Sequence, residues 1–242
     1  MNTPSNAPNS IVTRIDAITL IPSSHRFAKL PAPRSVKIEV SPRCNFRCGF
    51  CALRTRESQP RADMDFDLFR RITWEMKEAG VEEIGCFYLG ESMMNVPLLV
   101  DCIRHCKQIG IPYVFLTTNG SLATPEAVRA CMDAGLDSLK FSVNAADEAQ
   151  FREVMGVKTG LFRDALANIK EARKVRDDGG YKCGLYASSI RYDGEQQAKM
   201  EALLDEHVRP FVDQSYWLPL YSMGSIATQR EAELGYRPTA GN

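Results

Sequence analysis

Three cysteines fall within eight residues of one another, in the segment Cys44-Asn-Phe-Arg-Cys48-Gly-Phe-Cys51. Thiolates are soft ligands for iron–sulfur clusters and zinc, and so tight a trio in a chain without a secretion signal indicates metal binding or catalysis. A cubane iron–sulfur cluster normally takes four thiolates, so three would leave one iron open to a further ligand. The spacing therefore predicts a metal site formed by Cys44, Cys48 and Cys51.

Two other interpretations of the trio remain open. A structural zinc site needs four protein ligands, and Cys86, on a predicted strand, could supply the fourth. The three thiols could also be unrelated buried side chains, because free cysteine is commonly buried. The remaining cysteines have no spacing that indicates a second cluster, and we expect Cys102, Cys106 and Cys131 to pack in the core from apolar helix faces.

The overall composition excludes several classes of protein. The chain has 242 residues, with 30 Lys and Arg against 30 Asp and Glu, and zero net charge gives no reason to expect bulk nucleic-acid binding. It contains no apolar run long enough to predict a membrane-spanning helix, so we expect no membrane association. Residues 1–10 are polar and lack the basic start and apolar stretch of a signal peptide, which predicts a cytoplasmic protein.

From residue 35 onward, short apolar runs alternate with amphipathic helical patterns. The predicted strands are Val36–Val40, Ile84–Leu89, Tyr113–Thr117, Ser138–Val143, Cys183–Ala187 and Tyr216–Leu220. Strands that alternate with helices indicate a parallel sheet joined by right-handed crossovers. Six such units are too few for a closed eight-stranded barrel, so the predicted fold is α/β, a partial (β/α)6 barrel with parallel strands. In this architecture the functional site lies at the C-terminal ends of the strands, where the cysteine trio follows the first one.

The trio's spacing, its place after the first strand and the aromatic Phe50 before the last cysteine resemble the radical S-adenosylmethionine (radical SAM) superfamily. The resemblance implies that the trio holds one [4Fe–4S] cluster whose open iron binds S-adenosylmethionine (SAM). It implies that an electron from the cluster cleaves SAM to a 5′-deoxyadenosyl radical, which abstracts hydrogen from a substrate. An electron donor such as flavodoxin or ferredoxin is implied as well, whereas the substrate, whether peptide, sugar or nucleotide, is not identified.

The turn after the second strand is similar to a Gly-Gly-Glu-Pro-like turn of the family. The matching residues are Gly90 and Glu91, while Leu89 and Ser92 replace the first glycine and the proline. A glycine permits close backbone approach, and a carboxylate suits the ammonium group of SAM. The resemblance therefore implies that Gly90 and Glu91 contact the methionine end of SAM.

Four further positions are candidate SAM contacts by the same resemblance. Ser142 and Asn144 end the fourth strand, where relatives have Ser-x-Asp facing the ribose and carboxylate of SAM, and Asn144 keeps the hydrogen bonding without the charge. Ser188, after the predicted fifth strand, is a candidate for the methionine end. Leu220, on the predicted sixth strand, is a candidate for packing against the adenine.

The resemblance covers residues 35 to about 222 and is nearest to the core domain of the SPASM and twitch branch. Many members of that branch carry a C-terminal domain with further cysteines, yet no cysteine follows Cys183 here. We therefore expect residues 1–34 to form an N-terminal extension, 35–222 the barrel core, and 223–242 a tail or the start of a missing auxiliary domain. Two hypotheses of function follow: a radical SAM enzyme with oxidoreductase or lyase chemistry, and a non-catalytic iron–sulfur core that binds a partner.

Overall fold

The computed structural model describes residues 31–51, 61–192 and 194–218. Its strands are β1 (Ser35–Lys37), β2 (Glu83–Gly85), β3 (Tyr113–Thr118), β4 (Ser138–Ser142), β5 (Gly184–Ile190) and β6 (Gln214–Leu218). Its α-helices are α1 (Phe66–Glu78), α2 (Val96–Gln108), α3 (Pro125–Asp133), α4 (Glu148–Met155), α5 (Gly160–Asp178) and α6 (Gly194–His207). Short 3-10 helices span Ser92–Asn95 and Arg209–Phe211.

The six strands form one parallel sheet in the order of the chain, β1-β2-β3-β4-β5-β6. Helices connect successive strands, so this arrangement confirms the predicted partial (β/α)6 barrel. Strand β1 is shorter than predicted, and β5 extends three residues further than predicted, to Ile190. The predicted N-terminal extension before residue 31, the C-terminal tail and Leu220 lie outside the described residues.

Helix α4 is marked in the sequence by its boundary signals rather than by an apolar period. Asp147 caps its N-terminus, since the side chain accepts a hydrogen bond from Gln150 N. Gly156 ends it in the left-handed conformation at φ 64°, which glycine adopts without the steric cost that a Cβ brings. The helix is only 8 residues long, too short for a clear apolar period.

Alternation along the strands separates the core from the interior of the barrel. In β3, Val114 and Leu116 are fully buried against the helices, whereas the alternate residues Phe115 and Thr117 are half-buried and face the lumen. The outer face of the sheet and the apolar faces of the helices thus form the main core. The inner face leaves a lumen whose mouth is the C-terminal edge of the sheet.

The fold gathers four cysteines, one directly after β2, two on α2 and one on α3. Cys86, Cys102, Cys106 and Cys131 are all fully buried in the main core, which confirms core packing for the three helical ones. Hydrogen bonding to Cys106 and burial raise the pKa of Cys86 well above its usual value, and burial raises that of Cys131 to about 12. The Cys86 and Cys131 thiols therefore stay protonated at neutral pH, which makes them poor nucleophiles.

No helix in the described ranges is both long and apolar enough to cross a membrane.

Candidate cofactor-binding site

A cavity of about 1440 Å³ opens at the C-terminal ends of the strands. Its lining comes from four consecutive strand ends and from helices α4 and α5. The principal contributors are Cys44, Cys48, Phe50 and Cys51 after β1; Phe87, Gly90 and Glu91 after β2; Thr117, Thr118 and Asn119 at the end of β3; and Ser142 and Asn144 at the end of β4. Parallel strands end at one edge of the sheet, which is why segments so distant in sequence meet here.

The three cysteines of the trio line this cavity together and form no disulfide. Burial raises the pKa of Cys44 to about 11, and the nearby charges of Glu91 and Cys51 add to the effect. Burial also raises the pKa of Cys48, with contributions from Cys44 and Cys51, so the three sulfurs lie within electrostatic range of one another. Metal binding must therefore displace protons from these thiols.

The donor set fits an iron–sulfur cubane. Among the residues that the structure describes, no three His, Cys, Asp or Glu side chains are arranged to hold a single metal ion. A cubane is bound differently, because each thiolate ligates its own iron at a separate corner. Three soft thiol donors on one wall of a cavity that also has room for a ligand match that geometry.

Helix α4 fixes the position of the cysteine loop. Arg47 N donates to Met155 O at 2.9 Å, and Gly49 N donates to Val154 O at 2.7 Å. The loop backbone thus satisfies two carbonyl groups at the end of the helix, which have no partner within the helix itself. A Cβ on Gly156 would lie 3.1 Å from Arg47 O, so the glycine also allows this close contact.

A side-chain network joins the same loop to the end of β3. Asn45 Nδ2 donates to Ser121 Oγ at 2.8 Å, and Asn119 Nδ2 donates to Asn45 Oδ1 at 2.8 Å. The Asn119 amide also hydrogen-bonds the Cys44 thiol and lowers its pKa, against the larger effect of burial. Sequence reasoning missed Asn45, although an amide side chain directly after a ligand cysteine is a signal for such anchoring.

The turn after β2 packs directly against the segment that leads to Cys44. A Cβ on Gly90 would lie 2.0 Å from Ser41 O, so no other residue fits at this position. Gly90 N donates to Glu39 Oε1 at 2.9 Å, and Glu91 N donates to Arg43 O at 2.8 Å. Gly90 therefore holds the two loops in register. The sequence predicted only that this glycine permits close approach of a ligand.

The Glu91 carboxylate lies at the wall of the cavity but is only 2% exposed. Its Oε1 accepts from Met93 N at 3.1 Å and Thr118 Oγ1 at 3.0 Å, and its Oε2 accepts from Asn119 N at 2.7 Å. Burial raises the pKa of this carboxyl, while the three hydrogen bonds oppose that shift. A carboxylate offers about four acceptor sites, so one remains for a ligand.

Of the other predicted SAM contacts in the described residues, three line the cavity and one does not. Phe50, Ser142 and Asn144 line the cavity, and Asn144 Oδ1 accepts from Ile190 N at 2.9 Å, which leaves its NH2 group to face a ligand. Ser188 pairs with Ser142 in the sheet register but is 3% exposed and is not part of the cavity lining. The structure thus brings together all the predicted contacts in its described part except Ser188.

A second anchoring group was also missed from sequence. Asp63 accepts from Ser41 Oγ, Arg43 Nη2 and Asn95 Nδ2 at 2.7–2.8 Å. Burial opposes ionisation, but the hydrogen bonds from Asn95, Ser41 and Arg43 outweigh it and lower the pKa of Asp63. The carboxylate ties the segment before Cys44 to the turn after β2 and reinforces the contact at Gly90.

Fold and site together define a class of protein: a partial barrel that carries a three-cysteine loop at the C-terminal end of its first strand. Residues 38–204 match the family model of the Radical SAM superfamily. The chain belongs to that superfamily, which confirms the resemblance seen in the sequence. Members of the superfamily are enzymes that use a [4Fe–4S] cluster and SAM.

Two curated relatives and one solved structure are similar to this chain. The chain is 29% identical over 147 residues to the tungsten-containing aldehyde ferredoxin oxidoreductase cofactor-modifying protein of Pyrococcus furiosus, covering 59% of this chain and 39% of the relative. It is 31% identical over 154 residues to GTP 3′,8-cyclase of Xanthomonas campestris pv. campestris, covering 60% of this chain and 43% of the relative. The structure of Streptococcus suis SuiB bound to precursor peptide SuiA has a TM-score of 0.62 at 20% identity, covering 89% of this chain and 44% of SuiB. The chain spans less than half the length of each of these three proteins.

Proposed function

We propose that this chain is the barrel core of a radical SAM enzyme, with one [4Fe–4S] cluster held by Cys44, Cys48 and Cys51. When bound, the cluster and SAM together supply a 5′-deoxyadenosyl radical that abstracts hydrogen from a substrate. The observation that supports this proposal most strongly is that three free thiols line the same cavity at the mouth of the barrel. Residues 35–222 form the catalytic unit in this proposal.

The protein's part is to bind and orient these groups. We assign the ammonium group of SAM to the remaining acceptor site of Glu91, whose other sites receive internal hydrogen bonds. Ser142 Oγ and the NH2 group of Asn144, at the end of β4, suit the ribose hydroxyls and the SAM carboxylate. Phe50 lines the cavity between Cys48 and Cys51 and would add an apolar surface beside the proposed cluster. Contacts from Ser188 and Leu220 remain predictions.

The substrate fills the part of the cavity that SAM leaves open. The volume of about 1440 Å³ exceeds the range typical of single-ligand pockets, about 300–1,000 Å³. One relative is named for GTP and one structural neighbour was solved with a precursor peptide, and a nucleotide or a peptide would fit a cavity of this size. Flavodoxin or ferredoxin is the proposed electron donor, and the exposed Arg47, Arg152 and Lys158 at the cavity give its approach a positive surface.

The alternative is a core that keeps the cluster and binds a partner without catalysis. Leu89 and Ser92 depart from the family's turn, and the three internal hydrogen bonds of Glu91 favour this alternative, since they tie up most of the carboxylate. The test is chemical reduction of the anaerobically reconstituted protein with SAM, followed by chromatography for 5′-deoxyadenosine. Release of 5′-deoxyadenosine that is lost in Cys48→Ala supports the enzyme, whereas an intact cluster without release supports the non-catalytic core.

A further inference from the structure

The inner face of the barrel carries a lysine that no described residue neutralises. Lys140 lies in the middle of β4 between the buried Leu139 and Phe141, so its side chain points the other way, into the lumen. Its Nζ lies 5.9 Å from the centroid of the Tyr216 ring on β6. Within residues 31–51, 61–192 and 194–218, Lys140 has no carboxylate partner in an ion pair.

A second lysine adds positive charge near Lys140. Lys37 on β1 places its Nζ 5.6 Å from the centroid of the Phe87 ring, which lines the cavity. Burial, and then repulsion by Lys37, lower the pKa of Lys140 to about 8. Lys37 itself is exposed, but its charge adds to the free-energy cost of the Lys140 ammonium unless an opposite charge approaches it. The described part of the barrel does not supply that opposite charge to Lys140.

An unsatisfied hydroxyl group lies beside Lys140 and connects it to the cavity. Thr117 on β3 is the register partner of Lys140 and also lines the cavity. Its Oγ1 is buried and has no hydrogen-bond partner among the described residues. A buried hydroxyl is normally hydrogen-bonded, so an unpaired one next to a buried ammonium indicates a position for a ligand acceptor.

The wall at β6 adds a neutral hydroxyl donor, Tyr216. Burial, followed by the neighbouring Tyr113 and Tyr186, raises the pKa of Tyr216 above its usual value. The phenol therefore keeps its proton at neutral pH, and a protonated phenol can donate to an anion. Its ring carries the cation–π contact with Lys140, which holds the ammonium group near this wall.

We propose that Lys140, Thr117 and Tyr216 form a subsite for a negatively charged group of the substrate, a carboxylate or a phosphate. The subsite lies deeper in the lumen than the proposed SAM contacts, since Lys140 precedes Ser142 by two residues on the same inward face of β4. Lys37 on β1 adds to the positive electrostatic potential at this subsite. The assignment of this anion to the substrate rests on the proposed function, whereas the anion site rests on the geometry alone.

The test is calorimetry on the anaerobically reconstituted full chain, titrated with inorganic pyrophosphate and, separately, with succinate. The two titrations distinguish a phosphate site from a carboxylate site. We expect Lys140→Gln to weaken binding of the preferred anion by at least about tenfold, the loss of one charge-assisted hydrogen bond, and Thr117→Val to weaken it less. Lys174→Gln, which alters an exposed lysine on α5, is the matched control and should bind like the wild type.

A measurement on the wild type removes any dependence on the folding of the variants. The preferred anion should protect Lys140 from acylation, as followed by peptide mass spectrometry, while Lys174 stays reactive. The proposal is overturned if neither anion binds, if Lys140→Gln binds both like the wild type, or if Lys140→Gln loses SAM binding in parallel. SAM affinity, titrated on the same preparations, tests the proposed function separately, since failure to bind SAM would refute that function and leave the anion site standing.

Discussion

Gly90 offers the sharpest test of how the site is assembled. In Gly90→Ala the new Cβ would lie 2.0 Å from Ser41 O and 2.8 Å from the carbonyl carbon of Pro42. Contacts of a Cβ below 3.0 Å are essentially absent from proteins, so the two loops must separate by about 1 Å. The obstructing atoms are backbone, and no side chain can rotate away to relieve the clash.

Gly90→Ala should lower both stability and cofactor binding, because the two loops carry Cys44 and Glu91. Overpacking of this kind destabilises a protein by about 1–3 kcal/mol, and the shift also strains the hydrogen bond from Glu91 N to Arg43 O, directly before Cys44. A misplacement of about 1 Å in a preorganised site can cost about a hundredfold in function. We therefore expect Gly90→Ala to bind SAM about a hundredfold more weakly and to retain less iron than the wild type.

The assay compares iron content, visible absorption, thermal melting and SAM affinity by calorimetry in matched preparations. Gly160→Ala is the control, because Gly160 opens α5 with no atom within 4 Å of the added Cβ and without a positive φ. This variant should melt at or above the wild-type temperature, since alanine favours helix over glycine. Equal iron content and equal SAM affinity in the two variants would refute the argument that Gly90 sets the loop register.

The remaining predictions address the cluster, the carboxylate and the lumen. Cys48→Ala should abolish broad absorption near about 400 nm from thiolate-to-iron charge transfer, whereas Cys102→Ala should keep it, and the reverse pattern would contradict the site assignment. The wild type should hold about four irons per chain by chemical analysis, and about eight would indicate a second cluster. Glu91→Ala should weaken SAM binding by about 1.5–3 kcal/mol. It should also lower the melting temperature, because three internal donors lose their acceptor. Unchanged SAM affinity and unchanged melting temperature would show that Glu91 neither binds SAM nor stabilises the fold. Lys140→Met should raise the free energy of unfolding at pH 7 by up to about 3 kcal/mol, since a lysine pKa lowered from 10.5 to about 8 penalises the charged folded state. That gain in urea unfolding should shrink as pH rises above 8, and a loss of stability at pH 7 would contradict the buried-charge argument.

The sequence by itself determined the fold class and the location of the cysteine site. Six apolar runs separated by helical patterns predict a parallel sheet, because short buried strands and amphipathic helices differ in period. The spacing of Cys44, Cys48 and Cys51 after the first of those runs places a thiol-lined loop at the C-terminal edge. These features depend on local pattern and chain order, which a sequence states directly.

Tertiary structure alone decided which distant groups meet. The contact between Gly90 and Ser41, the three internal partners of Glu91 and the assembly of Cys86 with the helical cysteines involve residues on different strands and helices. The same is true of Lys140, which is one more charged residue in the sequence but, in the structure, a half-buried cation close to the Tyr216 ring two strands away. Curvature of the sheet brings β1, β4 and β6 around one lumen, and neither the period of an element nor its boundary signals encode which side chains then face each other.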